Sequence, residues 1–550
     1  MGAASRRGES PGSTKPRLDA VTTTAEPLLP AVLPSLYDRW LARVARDPAL
    51  ARRWRWLAPA LVTLVAGILR VWNLGHPHAL VFDETYYVKD AWSQWNLGYP
   101  STWPEGANDG FVAGDTDIFT SMGSFVVHPP LGKWLIGVGM WLFGADSSFG
   151  WRIATAVFGT ATVLVLYFVA QVLTGSIAFA TVASGLMAID GLAIVMSRIG
   201  LLDIFLTFFV LVAFWFVLLD RRAHLPRLAA GVMARTAGDV GPVWGPVLWR
   251  RPWLVAAGVA AGAATAVKWS GLYVIAGLAI YLVVTDALAR RRAGVGLWTT
   301  DALRQGLAAA ALALPAGLVV YLASWTGWLV TDGGYGRHAI ESSAETGVWS
   351  WLPLPLQNLW KYHEAMYGFH VGLTSGHTYA SPAWQWPLLL RPTSMYFHRD
   401  APEEAGCAAA NGCVQNIYSM PNPLIWYAGV AAVVYLAWRF AVSRDWRYAV
   451  VLTGVAVTYV PWLLYPQRTI FQFYTIAILP FMLLALAFAL RDMASGPPGS
   501  DVVRRISGQR VVLVFLAFVV VVSAFWYPIV TAMPVPYDFW RLHNWMQSWV

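Results

Sequence analysis

Apolar positions along this chain gather into runs of about twenty residues instead of amphipathic stripes or alternating strands. A helix of roughly that length crosses a hydrocarbon core of about 30 Å. Eleven segments qualify, near residues 57–74, 152–172, 176–196, 200–219, 253–268, 269–285, 305–324, 424–440, 448–465, 470–490 and 511–530. Inside the 253–285 stretch, the polar break Lys268, Trp269, Ser270, Gly271 argues for two spans meeting at a surface. Two intervals between spans are long, 75–151 and 325–423, and both are rich in Trp, Tyr, His, Gly and Pro. Leu131 to Phe143 in the first of them could lie flat in the membrane interface.

Composition agrees with the pattern. Of 550 residues, 57% are apolar and 13% are charged, against about 45–50% and 25% in soluble domains. These figures exclude a disordered, collagen-like or small disulfide-stapled chain and argue against a soluble enzyme. The expected fold class is an all-α polytopic membrane protein with about 11 transmembrane helices and two large extracytoplasmic loops.

The net charge of +9 would raise the question of nucleic acid in a soluble protein. Its placement answers otherwise. Segments 1–56, 220–252, 286–304, 439–447 and 491–510 hold 27 of the 39 Lys and Arg residues, all on one side of the eleven spans. Basic loops stay in the cytoplasm, so the N-terminus is expected inside, the two large loops outside, and the C-terminus outside after an odd number of crossings. The charge excess is topology, and no nucleic-acid partner is expected. Residues 1 to about 35, rich in Ser, Thr, Pro and Gly, predict a disordered stretch within a basic cytoplasmic segment 1–56. No long apolar run precedes Leu57, so the first span is expected to act as signal anchor. A membrane domain over 57–530 and an outer tail over 531–550 complete the division.

Candidate chemistry concentrates on the outer side. Asp83 and Glu84 stand side by side just outside the first span. A carboxylate near a desolvated pocket has a raised pKa and can act as a general base. The alternative is a helix start that Asp83 caps. His128-Pro-Pro-Leu-Gly-Lys133 leads into an apolar run; His128 and Lys133 could bind sugar or phosphate, or form a rigid corner with a snorkelling lysine. Arg152, Arg198, Lys268 and Arg468 lie at outer ends of spans, against the positive-inside bias. Together they could hold a lipid phosphate, although Arg198 could instead pair with Asp203. Asp190, near the outer end of the third span, could be functional or could face an aqueous loop. In the second loop, Trp349, Trp351, Trp360, Tyr362, His363, Glu364, Tyr367, His370, His377, Trp384 and Trp386 could line a carbohydrate site or an interfacial aromatic belt. Cys407 and Cys413, the only cysteines, are expected to form a disulfide in an oxidising exterior. No metal-ligand spacing and no nucleotide-binding glycine pattern is present.

Taken in order, Phe82-Asp-Glu84, His128-Pro-Pro-Leu-Gly-Lys133, Trp151-Arg152, Ser197-Arg-Ile-Gly-Leu-Leu-Asp203 and Val267-Lys-Trp-Ser-Gly271 resemble the protein O-mannosyltransferases. These are membrane glycosyltransferases of the GT-C fold, in glycosyltransferase family 39. The resemblance spans about residues 57–530 and is greatest to the actinobacterial, mycobacterial-type branch, since the second loop is too short for the β-trefoil repeats of eukaryotic members. Arg468-Thr-Ile-Phe471 fits the family's Arg-x-x-Phe opening, but Gln472-Phe473-Tyr474 lacks the histidines that follow it there.

The resemblance implies an inverting transferase at the cell membrane that moves mannose from polyprenyl-phosphate mannose to Ser/Thr hydroxyls of secreted proteins. It implies Asp83 as catalytic carboxylate, Glu84 as helper in placing the acceptor, and Arg152 as a required arginine. Arg198, Lys268 and Arg468 are assigned to the donor phosphate from charge and side, and His128, Lys133, Asp203, His363 and Glu364 to substrate binding. No cofactor and no metal is expected, because cations can stabilise the phosphate. Membrane lipids and the Sec translocon are the expected surroundings. A GT-C transferase acting on a lipid or cell-wall glycan is the alternative; a secondary transporter fits less well, given two large outer loops, few ionisable groups at mid-span and no inverted repeat.

Overall fold

A computed structural model describes residues 34–342, 347–496, 499 and 501–549. Nineteen α-helices are described. The first five are α1 Leu36–Arg46, α2 Pro48–Val71, α3 Glu84–Leu97, α4 Ala107–Val112 and α5 Leu131–Phe143. A bundle follows, with α6 Ser148–Thr174, α7 Ile177–Ile189, α8 Gly191–Met196, α9 Asp203–Met233, α10 Pro252–Val267, α11 Gly271–Arg292 and α12 Trp298–Ser324. Then come α13 Thr326–Val330, α14 Leu354–Gly372, α15 Pro423–Ser443, α16 Trp446–Leu463, α17 Leu479–Ser495, α18 Val502–Val530 and α19 Tyr537–Arg541. Seven of these, α2, α6, α9, α11, α12, α15 and α18, are long and apolar enough to cross a membrane.

All eleven apolar segments are largely helical, but not all as single rods. The 176–196 segment breaks at Asp190, whose carboxylate caps α8 through Ala193 N (3.0 Å) and accepts Asn422 N (3.0 Å). The 470–490 segment splits into a 3-10 turn, Gln472–Ala477, and α17. Helix α17 is apolar on nearly every side and buried from Leu479 to Phe488, as expected for a helix at the centre of a bundle. Helices α10 and α12 approach closely through small residues: a Cβ on Gly262 would meet the Gly317 carbonyl oxygen at 2.3 Å, the small-xxx-small contact common between helices in membranes.

Two expectations need correction, and the mostly helical fold carries one addition. The bulk of the predicted disordered stretch, residues 1–33, lies outside the described residues, but the rest of segment 1–56 is helical. The Ser35 hydroxyl caps α1 by accepting Asp38 N (3.0 Å), and Asp47 caps α2 through Ala49 N (2.8 Å) and Leu50 N (3.1 Å). Asp38 then ties α1 to α18 through Arg505 (3.2 Å) and Gln509 (3.0 Å). The addition is a small sheet. Strands β1 Thr393–Asp400, β2 Cys413–Ser419 and β3 Val535–Pro536 form an antiparallel sheet in that order, with Asp400 opposite Cys413 and Val414 opposite Val535. The Cys407–Cys413 disulfide lies in the β1–β2 connection. Finally, 531–549 is no free tail: it supplies β3 and α19, and Trp549 is buried with its indole N–H on the Leu389 carbonyl (2.7 Å).

Candidate active site

The loop between α2 and α3 is held by two arginines that donate to backbone carbonyls. Arg198 gives its guanidinium to the carbonyls of Arg70 (3.0 Å), Trp72 (2.7 Å) and Asn73 (3.1 Å), at the C-terminal end of α2 where helical carbonyls lack partners. Arg152, near the start of α6, donates to Pro77 (2.8 Å) and Ala79 (2.8 Å). It also grips both oxygens of Glu84 at 2.8 Å. The same carboxylate accepts the amides of Val81 (2.9 Å) and Gly200 (2.7 Å). Arg152 and Glu84 are both fully buried.

These contacts correct the assignment of Arg152 and Arg198 to a phosphate and of Glu84 to an acceptor. Their hydrogen-bonding capacity is spent on the loop, and water does not reach the ion pair. Nor does Arg198 pair with Asp203.

With Glu84 turned inward, Asp83 is the carboxylate left at the start of α3. It occupies the N-cap position without making a side-chain cap, so the capping alternative fails. The residue before it, Phe82, has a left-handed backbone (φ 49°), which costs a non-glycine residue on the order of 1–2 kcal/mol. Edge-on contacts with Phe471 (5.5 Å), Phe473 (5.6 Å) and His377 (5.8 Å) clamp its ring there. Burial pushes the Asp83 carboxyl up to about 6; Lys268 pulls it down and Asp203 pushes it up again.

Those two neighbours form a buried pair at the break between α10 and α11. Lys268 Nζ donates to both Asp203 oxygens at 2.8 Å and lies over the Tyr474 ring, 5.0 Å from its centre. The pair lines a cavity of about 290 Å³ with His128, His370, Arg468 and Tyr474 at its polar end. Leu206 and Val210 of α9, Val274 of α11, and Val457 and Pro461 of α16 add apolar wall.

Arg468 makes no salt bridge to a carboxylate among the described residues. One Nη donates to His370 Nδ1 (3.0 Å), and its buried Nε has no partner. His370 Nε2 donates to the Val127 carbonyl (2.7 Å), which leaves Nδ1 as an acceptor and fixes the neutral tautomer. Burial, then the Arg468 charge, hold His370 down to about 4. His128, stacked on His370 at 5.2 Å, is held well below its ordinary value by burial and by the surrounding cations, Lys268 first. The polar end is therefore a cationic lining backed by neutral imidazoles.

The remaining predicted residues scatter. Lys133 is buried and folds back onto the His128 carbonyl (2.7 Å), fixing the His-Pro-Pro corner instead of facing the cavity. His363 lines a neighbouring apolar groove and is held between the Leu359 carbonyl and the Tyr321 hydroxyl, both at 2.5 Å. Glu364 is exposed and bound to Trp360 (2.8 Å) and Lys361 (2.9 Å). Two further residues join the site, Tyr87, whose ring lies 6.1 Å from that of His128, and Tyr474 beneath Lys268. Tyr87 falls one helical turn after Asp83, so the i, i+4 spacing is its signal; Tyr474 has none, because only the folded position of the 3-10 turn Gln472–Ala477 sets it there. No group of three His, Cys, Asp or Glu placed to hold a metal occurs among the described residues.

Comparison with known proteins narrows what such a site serves. Residues 127–234 match the family model described as dolichyl-phosphate-mannose-protein mannosyltransferase, and residues 355–549 match the C-terminal four-transmembrane region of protein O-mannosyltransferase. The chain is 33% identical over 538 residues to the polyprenol-phosphate-mannose–protein mannosyltransferase of Mycobacterium tuberculosis, covering 95% of this chain and 97% of that protein. The like-named protein of Corynebacterium glutamicum is 31% identical over 501 residues, with 89% and 91% covered. Among solved structures, the S. cerevisiae protein O-mannosyltransferase Pmt1-Pmt2 complex bound to the sugar donor superposes with a TM-score of 0.66 at 16% identity, covering 90% of this chain and 92% of that one. The archaeal oligosaccharyltransferase AglB from Archaeoglobus fulgidus shares the fold more distantly, with a TM-score of 0.51 at 14% identity and 90% and 58% covered.

Proposed function

The chain belongs to the polyprenol-phosphate-mannose–protein mannosyltransferase family, and from that premise we propose that Asp83 is the base that deprotonates a Ser or Thr hydroxyl while Lys268 and Arg468 take up the departing polyprenyl phosphate. It is a multi-pass membrane enzyme of the GT-C fold that transfers mannose to protein. The freed alkoxide oxygen attacks the anomeric carbon, the bond from that carbon to the phosphate oxygen breaks, and its electron pair leaves with the phosphate. One base and an in-line leaving group invert the anomeric centre, whereas retention needs a carboxylate nucleophile. Asp203 keeps Lys268 aimed at the cavity, and the apolar walls suit the first isoprene units of a lipid donor. With two cations for the phosphate, the reaction is expected to need no cofactor.

The observation that carries this reading is the division of labour between neighbouring carboxylates: Glu84 is consumed by Arg152, and Asp83 keeps an uncapped, partly desolvated carboxyl within reach of the Lys268 charge. The disulfide lies in the second outer segment together with His370, and an oxidised bridge on the same side as part of the site supports an extracytoplasmic site, a cytoplasmic N-terminus and an outer C-terminus. Acceptors would then reach it as they emerge from the Sec translocon. The test is incubation of the purified protein with radiolabelled polyprenyl-phosphate mannose, offering a Ser/Thr-rich peptide and an acceptor lipid side by side, with analysis of the product's anomeric configuration. Label on the peptide with inverted configuration is expected; label on the lipid alone, or retention, overturns the proposal.

A further inference from the structure

A second cavity, of about 210 Å³, opens between the β1–β2 sheet and the C-terminal segment, apart from the donor site. Aromatic side chains form most of its wall: Tyr379, Phe397, Tyr418, Trp540 and Trp549. Phe397 is 49% exposed and meets Trp540 edge-on at 5.4 Å, so the rim faces outward. Polar groups are the amides Asn416 and Asn544, the Ser394 hydroxyl and the hydroxyls of the two tyrosines. Asn416 is 3% exposed, and its Nδ2 is committed to Ser394 Oγ (2.9 Å) and the Tyr396 carbonyl (3.0 Å). Its Oδ1, also buried, has no hydrogen-bond partner among the described residues. The Nδ2 commitment holds Asn416 in place at the cavity floor, and leaves Asn544 as the amide open to a ligand.

None of the lining side chains carries a charge at neutral pH, so the ligand is neutral. The volume falls below the roughly 300–1,000 Å³ of drug-sized pockets, which leaves room for about one ring. Aromatic faces beside amide groups suit a molecule with C–H faces and hydroxyl edges, a hexose. The cavity also has a path to the catalytic loop: the Phe82 ring meets His377 at 5.8 Å, and His377 meets Tyr379, in the cavity wall, at 6.2 Å. An extended peptide covers that reach in about four residues at roughly 3.3 Å each.

We propose that this cavity is a product-recognition subsite: it takes a mannosyl group already attached to the acceptor and so guides the next transfer to a Ser or Thr about four residues away. The inference rests on the reading of Ser/Thr peptide as acceptor. No bond is made or broken at the subsite; sugar hydroxyls meet the Asn544 amide, and the ring packs on Trp540 and Phe397.

The experiment uses the full-length protein with two synthetic peptides that differ by one feature, a preformed O-mannosyl residue four positions from the single free Ser/Thr, placed on either side. The expected result is a KM about 5- to 10-fold lower for the mannosylated peptide in at least one orientation, the size of one or two hydrogen bonds. Trp540→Ala and Asn544→Ala should abolish that preference while kcat on the unmodified peptide stays unchanged. Equal KM values for both peptides with the wild-type protein, or a preference that survives in both variants, overturn the subsite. Transfer to the unmodified peptide is read separately: its absence in the wild-type protein would remove the Ser/Thr reading and the subsite together, whereas robust transfer with equal KM values removes the subsite alone.

Discussion

Arg152 clasps both oxygens of Glu84 at 2.8 Å in a site closed to solvent, and the same guanidinium donates to the carbonyls of Pro77 and Ala79. The pair is thus a brace for the loop that ends in Asp83. Removing one member leaves the other charge buried without its partner, at a cost of about 3–5 kcal/mol. Glu84→Ala and Arg152→Ala are each expected to lower the thermal midpoint in detergent and to abolish transfer. Lost transfer at an unchanged midpoint for Glu84→Ala would move that carboxylate back into the chemistry.

Asp83 is expected to show the opposite signature. Its carboxyl caps nothing, and burial disfavours its charged form. Asp83→Asn keeps the shape and removes a charge that the fold does not use. Turnover on a Ser/Thr peptide should fall by about 10²–10⁴-fold, the usual share of a positioned base, with a thermal midpoint equal to or above that of the wild type. Because the folded-state pKa is raised above the unfolded value, this group's penalty on stability appears as pH climbs through about 4 to 6 and is absent below. The difference in midpoint between the two proteins should therefore vanish at pH 4.

A pH profile tests the same residue without mutation. A base must be deprotonated to act, and burial, opposed by Lys268, leaves the Asp83 carboxyl at about 6. The kcat/KM for peptide should rise tenfold per pH unit below that value and level off above it. His370 sits near 4 and His128 well below its ordinary value, so neither contributes a falling limb between pH 6 and 8. A profile flat from pH 5 to 8 would place the controlling proton elsewhere.

The membrane architecture was legible because burial in lipid leaves long apolar runs, and the helices fall where those runs do. What stayed hidden follows from through-space pairing. Arg152, Arg198, Lys268 and Arg468 have one signature in sequence, a cation at the outer end of a span, yet two of them saturate carbonyls around the Asp83 loop and two face a cavity. Nothing within a few residues of each distinguishes these fates, since the partners lie 65 to 129 positions away. The same holds for the sheet: β2 pairs with β1 nearby and with β3 more than a hundred residues later, a closure that no local alternation announces.

The two cavity-facing cations should separate by how each is tied. Arg468 leans on a neutral imidazole and has an unpaired Nε, so its charge is not offset by a carboxylate. Arg468→Ala should raise the donor KM by about 10- to 100-fold, matching one charge-assisted hydrogen bond of about 1.5–3 kcal/mol. It should also lower kcat, because the phosphate gains charge as the glycosidic bond breaks and a contact that strengthens in the transition state shows in both constants. Lys268 is different: replacing it by Met strands Asp203, whose one charge partner among the described residues is that ammonium. Lys268→Met should therefore cost stability as well as donor affinity, and adding Asp203→Asn should restore the thermal midpoint without restoring KM. If the double variant recovers donor affinity too, Lys268 serves the fold and Arg468 alone meets the phosphate.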